Sequence, residues 1–432
     1  MAPTKTNLVN ASTFFNQLIS GRRTHKAGLA ICGLALLATS GLAQSTLRIE
    51  YNPLFGYASN IYGAPSDKPL TGPDSLFADT LSVSDIWLQN AVRFDFNFKD
   101  EKHAVRWENN VEVRSYFNNP AANTNAFSSS LKYLYEAESD GVFGTNVSLG
   151  KADQLYVDLI TTDLLLPFDR NYLNLDLYAG KKADNHTFLG RFSYNRDRFE
   201  ACLSCDYEEV IPSLSNNEWG VAVEDTIYLG PSNRQQKFVV SVGWRNRRYS
   251  EWANTQLLNP AFGEPGASQF SPFVSTENYA THHWRFVDAQ ISYHFLLNEK
   301  SVIIPYLNYQ NRFDVGNSDY SRQDVQAGMR LKWEQGKVKL NGGGGFINQR
   351  FENRLASNEG VEGGELLRYT LLNVHLNGHY MLAKRVGLTL GGNFQQRTSN
   401  NTNELSIRRK SFDRWMVYGG IQFLINTSRS GK

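Results

Sequence analysis

Long hydrophobic runs are nearly missing from this chain of 432 residues. Only Ala27–Ala43 looks like an apolar helix, and the mean hydropathy is −0.43. That excludes a bundle of membrane helices, each of which needs about 20 consecutive apolar residues. Cysteine is also scarce, at three residues. Cys202 and Cys205 lie three apart, so in a strand they point to opposite faces and would not bond each other without distortion. With no second C-x-x-C pair they read as ordinary strand residues rather than a zinc or redox site. No basic surplus exists either. The formal net charge is +2, and Lys5, Arg22, Arg23 and Lys26 precede Ala43 in a stretch with no acid, leaving −2 for the rest. Phosphate neutralisation needs a basic excess, so nucleic acid is not expected as a partner.

Motifs of enzymes and metal sites are absent as well. No H-E-x-x-H, G-x-S-x-G or P-loop pattern occurs. His375 and His379 are four apart on a strand, or about 13–14 Å, too far to share one metal. Gly342–Gly345 lies within a strand rather than between strand and helix. It is read as letting a large neighbour pack close or as bending the wall, not as a phosphate cradle. No cofactor, metal or catalytic residue is therefore expected.

The N-terminus carries a targeting pattern. Arg22, Arg23 and Lys26 form a positive region, Ala27–Leu37 an apolar one, and Gly41-Leu42-Ala43 a small-residue cleavage site before Gln44. The apolar run is short for a retained anchor. Ile31 before Cys32 does not suit lipidation, and Thr24-His25 is too polar for a twin-arginine signal. Residues 1–43 are expected to be a cleaved signal peptide, and 44–432 one exported domain.

What the chain has in plenty is aromatic residues (26 Phe, 21 Tyr, 8 Trp) and period-two alternation. Val325, Ala327, Met329, Leu331 and Trp333 share one face, while Asp324, Gln326, Gly328, Arg330 and Lys332 share the other. Similar alternation runs through Val92–Phe98, Val386–Gln395 and Trp415–Phe423. One apolar and one polar face per strand follows. Soluble sandwiches alternate too, so three further signs matter. The strands are long, about 10–14 residues against a soluble average of about five or six. Aromatics (Trp333, Phe351, Tyr380, Trp415) cluster near strand ends, as in interfacial girdles. Short and long connections also take turns along the chain. Asn298–Lys300, Glu334–Lys337 and Ala383–Arg385 are tight, whereas Asp314–Ser321, Glu352–Glu365 and Ser399–Ser411 are longer and polar. On the same parity Gly230–Gln236 and Asn195–Asp197 face the periplasm, and Gly63–Leu81 and Glu251–Ala280 are outer loops. Seventeen strands can be placed directly. Both ends on one side require an even number, so Asp153–Asp169 is taken as an eighteenth, with sixteen as the other solution.

The signal peptide, the aromatic-capped alternating strands and a last strand ending near Phe423 resemble the Gram-negative outer-membrane porin class. The resemblance spans the mature chain. It implies a single antiparallel all-β transmembrane barrel of about 16–18 strands in the cell outer membrane, in contact with its lipid. The class usually ends on an aromatic residue, whereas Asn426–Lys432 follows here.

A barrel of that width leaves an aqueous interior. Its inward face should carry both signs, with Arg93, Asp95, Arg106, Glu108, Glu112, Arg114, Arg191, Arg245, Arg247, Asp324 and Arg330 as candidate pore-lining residues. Such charges either select solutes or pair across strands and solvate the wall. The expected function is a channel for small hydrophilic solutes. An export conduit for a polymer such as an acidic polysaccharide is the second reading, suggested by Arg106, Arg114, Arg245, Arg247 and Arg350 and opposed by Glu108 and Glu112. A membrane-embedded hydrolase assembled from distant strands is the third.

Overall fold

The computed structural model describes residues 44–59, 84–119, 122–157, 165–200, 215–229, 236–253, 281–315, 320–358, 361–400 and 411–429. Residues 1–43, read as a signal segment, Cys202 and Cys205, residues 63–81 and most of 251–280 lie outside these. Sixteen strands follow in order: β1 Gln44–Ala58, β2 Asp85–Lys99, β3 His103–Tyr116, β4 Thr124–Glu136, β5 Gly141–Val157, β6 Leu165–Ala183, β7 His186–Glu200 and β8 Asn216–Tyr228. They continue with β9 Lys237–Ala253, β10 Thr281–Asn298, β11 Ser301–Asp314, β12 Arg322–Gln335, β13 Val338–Asn358, β14 Val361–Ala383, β15 Val386–Ser399 and β16 Phe412–Arg429. Each pairs antiparallel with its chain neighbours, and β1 pairs with β16, so the sheet closes on itself without an edge.

The barrel thus closes at sixteen, the lower of the two expected counts. Asp153–Asp169 is not a separate strand, because β5 runs on to Val157 and β6 starts at Leu165. Asn195–Asp197 is not a turn. It lies within β7, where Asn195 pairs with Glu218 and Asp197 with Asn216. The polar residues there misled because a lumen-facing strand tolerates Asn, Arg and Asp as readily as a turn does. Likewise Glu352–Glu365 is mostly strand, irregular in register, with Ser357 opposite Glu362.

One rim carries mostly tight connections, such as 299–300, 336–337 and 384–385, with 229–236 longer, and the other mostly wide ones, with the two-residue link 359–360 between β13 and β14 as the exception. Gly336 closes the β12–β13 turn at φ 59°, a left-handed geometry that favours glycine. Outward residues are apolar and exposed, among them Phe55, Leu88, Val223, Val242, Leu307, Leu376, Leu390 and Phe423. Trp333, Tyr380 and Trp415 share that wall. Phe351 does not. It points inward opposite Arg322 and is fully buried.

Candidate functional site

Alternation and closure together turn the polar phase of every strand into one continuous inner wall. All eleven candidate residues lie on it, as the registers show. Asp95 faces Glu108, Arg93 faces Asn110, Arg245 faces Gly220 and Asp288 faces Gly243, while Asp324 faces Gln349. They fall into separate groups rather than one ring.

On β2 and β3 the Arg106 guanidinium reaches Asp95 at 2.8 Å and Glu108 at 2.7 Å, while Arg93 also bonds Glu108 and lies 3.7 Å from Asp95. Further along β3, Arg114 donates to Gln89 at 2.7 Å and meets Glu112 at 3.3 Å. Arg191 on β7 pairs with Asp176 of β6 at 2.6 Å. Across β8 to β10, Glu218 lies between Arg247 (2.8 Å) and Arg245 (3.0 Å), and Arg245 turns its other edge to Asp288 at 2.7 Å. Glu218 is 4% exposed, so its charge depends on these two guanidiniums. Sequence reading named every arginine here but missed Asp176, Glu218 and Asp288. Their signal was available, since each lies in the polar phase of its strand.

Asp324 does not partner Arg330. Its ion pair is with Arg322, two residues away on the same strand, at 2.9 Å. Arg330 instead lies over the Tyr306 ring at 4.8 Å. Lys237, Lys332 and Arg330 all come within electrostatic reach of His294, and His294 is the register partner of Lys237. Among the described residues, no ion pair involves Arg330, Lys332 or Lys237. The β9–β12 wall near the tight-turn rim is therefore a basic patch, since Glu334, the inward acid of β12 there, is held by Lys339 of β13 at 3.2 Å.

Nearer the wide-loop rim the inner wall changes character. Trp87, Tyr116 and Met416 cluster with Ala58 and Ala122, Tyr249, Trp284 and Phe286 with Tyr320, and Phe351 with Leu367, Tyr369 and Leu371. Guanidiniums cap these rings. Arg312 lies 4.2 Å over Trp284, Arg397 3.9 Å over Tyr369, Arg245 4.6 Å over Phe286 and Arg114 4.8 Å over Trp87. An aromatic face attracts a cation through its quadrupole, so each stack holds a charge and a ring together on the wall. This collar was not anticipated. Its sign in the sequence is phase: Trp284 and Phe286 stand in step with Asp288, Gln290 and Ser292, not with Val287 and Ile291.

The inward Tyr306 of β11 reaches over glycines of the next two strands. A Cβ at Gly345 would come 2.7 Å from the Tyr306 hydroxyl, and one at Gly328 2.5 Å from it. This supports the close-packing role for the Gly342–Gly345 run, with His375 against Gly343 in the same manner. His375 and His379 both face inward, and His379 bonds Thr389 at 3.0 Å. Arg350 is on the opposite phase from Gln349 and so faces outward, away from the interior.

No protein-family model and no curated protein sequence matches the chain. Among solved structures it is similar to the outer membrane protein OpdK from Pseudomonas aeruginosa, at 11% identity over 89% of this chain and 99% of that one, TM-score 0.35. A bacterial polysaccharide outer membrane secretin matches at 9% identity over 88% and 97%, TM-score 0.37. The copper transporter OprC matches at 10% identity, TM-score 0.37, over 83% of this chain but 62% of its own length. CdiB from Acinetobacter baumannii matches at 11% identity, TM-score 0.41, over 89% of this chain and 60% of its own. The chain thus spans less than two thirds of those last two proteins. Its own wall decides its place. A closed sheet leaves no backbone group unpaired in lipid, its outer surface is apolar, its inner surface is polar, and its connections are mostly long at one rim and mostly short at the other. The protein is an outer-membrane β-barrel.

Proposed function

We propose that the barrel is a channel for small hydrophilic solutes. The observation that carries this is the charged inner wall, on which rows of arginine and carboxylate run from β2 to β12. Apolar solutes would gain nothing from such a wall, whereas water and polar solutes exchange hydrogen bonds with it. The Lys237, Arg330 and Lys332 patch gives the field at the periplasmic side a positive sign, which favours anions over cations in transit. The aromatic–arginine collar is placed to narrow the outer half. Planar-bilayer recording on the purified mature protein tests the reading. Discrete, ohmic conductance steps with anion preference at low salt are expected. Absence of conductance from protein shown to be folded and inserted would overturn it. The collar also favours a second reading, conduction of a polymer, because stacked rings offer sugar faces a track. Block of the current by an acidic oligosaccharide, and not by its monomer, would favour that alternative.

A further inference from the structure

The outer wall ends in a boundary that the solute pathway does not use. On β9 the outward residues run Val240, Val242, Trp244 and then Asn246, Arg248, and on β10 Ile291, Ala289, Val287 and then Arg285, His283. β13 changes from Phe346 to Asn348 and Arg350, β14 from Leu372 to Thr370 and Arg368, and β7 from Tyr194 to Arg196. These arginines lie 10 to 15 residues from the tight-turn rim. At about 3.3 Å per residue and a tilt near 40°, that is roughly 25–38 Å up the wall. An apolar band about 25 Å tall ends there, so the belt stands at the outer-leaflet headgroup level.

Arg196, Arg248, Arg285, Arg350 and Arg368 are all exposed. Among the described residues no ion pair involves any of them. Arg350 and Arg368 are direct register partners, and like charges in that position repel. Glu352 is close by but is bonded by Gln323 at 3.3 Å, and makes no ion pair with Arg350. Between the arginines stand further donors, Asn217 opposite Arg248 and Gln323 opposite Arg350. The arginines of the belt lie on β7–β14, and Lys151 of β5 stands on the outward face at a similar height. On β1–β3 the outward face carries no cation at its upper end and is mostly apolar, with Phe55, Tyr57, Ile86 and Phe117 beside Ser115.

We infer that this face binds the phosphate-bearing headgroup of an outer-leaflet glycolipid. Guanidiniums without an ion pair among the described residues, above an apolar wall, match a ligand that has phosphates on a saccharide head and acyl chains below it, and guanidinium binds phosphate through two parallel hydrogen bonds. The inference does not depend on what the interior conducts.

The test uses the folded protein in mixed micelles with bis-phosphorylated lipid A as the probe and dephosphorylated lipid A as the control. Retained lipid is counted by native mass spectrometry, and conductance is measured in parallel. Wild-type protein should retain the phosphorylated form at least tenfold better, and the preference should fall as salt rises. The variant R248Q/R285Q/R350Q/R368Q should lose it with conductance unchanged. An equal affinity of the wild type for the two lipids overturns the inference without the variant. So does unchanged retention by a variant that remains heat-modifiable. A variant that fails to fold is replaced by the four Arg→Lys changes, which should keep the charge preference and weaken retention severalfold. If removing the charges altered only the oligomeric state, the belt would be a protein interface and the lipid assignment wrong.

Discussion

Glu218 shows what a single residue does in this wall. It is buried against two guanidiniums at 2.8 and 3.0 Å, and its loss leaves Arg247 without a carboxylate, while Arg245 keeps Asp288. Glu218→Ala should therefore destabilise the barrel by about 3–5 kcal/mol, the usual cost of breaking a buried ion pair from one side. Urea titration in micelles, followed by tryptophan fluorescence, measures this, and a loss below 1 kcal/mol would show that water reaches the site freely. Face matters as much as pairing. Leu390 is 72% uncovered by protein and faces lipid, whereas Asn393, three positions on, faces the lumen. Arginine at Leu390 should cost about 2–4 kcal/mol near the bilayer midplane, and arginine at Asn393 close to nothing. Similar losses at the two sites would refute the inside–outside assignment.

At the scale of the strand, the recurring device is a ring laid across a glycine. Gly345 tests it cleanly, since the nearest atom to an added methyl is the Tyr306 hydroxyl at 2.7 Å and the next is the Ala327 carbonyl at 3.4 Å. Gly345→Ala should cost about 1–3 kcal/mol through overpacking. In a Tyr306→Phe background the same change should cost less, and a double-mutant cycle reads the difference. Additive effects would mean that ring and glycine do not touch. The strands themselves were largely legible, because period-two patterning and the parity of connections both report a closed antiparallel sheet. The inward arginines from Arg93 to Arg330 were legible for the same reason. Partners were not. Asp324 pairs with Arg322 rather than Arg330, and Glu218 joins two arginines 27 and 29 residues away, facts set by register that no local pattern encodes. The collar was hidden because an aromatic residue in the polar phase resembles noise until closure puts three such clusters inside.

For the whole molecule, the uneven distribution of charge around the lumen has a measurable effect. Most inner carboxylates are matched, while Arg330 and Lys332 are not. Reversing both to glutamate should move the reversal potential under a salt gradient toward cation selectivity. The shift should shrink at 1 M salt, where screening acts within about 3 Å. Unchanged selectivity with intact conductance would place the selective element elsewhere, in the collar. The closure of the sheet has a consequence of another kind. Fifteen of the sixteen ladders join strands adjacent in the chain, and each such hairpin can form at small entropic cost. The remaining ladder aligns Ser45 with Arg429 and Ala58 with Met416, so nearly the whole polypeptide is the loop it closes. Loop-closure entropy grows slowly with length, but pairings of high sequence separation are kinetically slow. The seam is held by the Tyr51–Phe423 stack, the Tyr57–Trp415 contact and the Gln422–Glu50 hydrogen bond at 2.6 Å. Until those contacts form, the assembling sheet keeps two unpaired edges at lipid depth, so the seam is where assembly is slowest and where a helper or a competing strand would act.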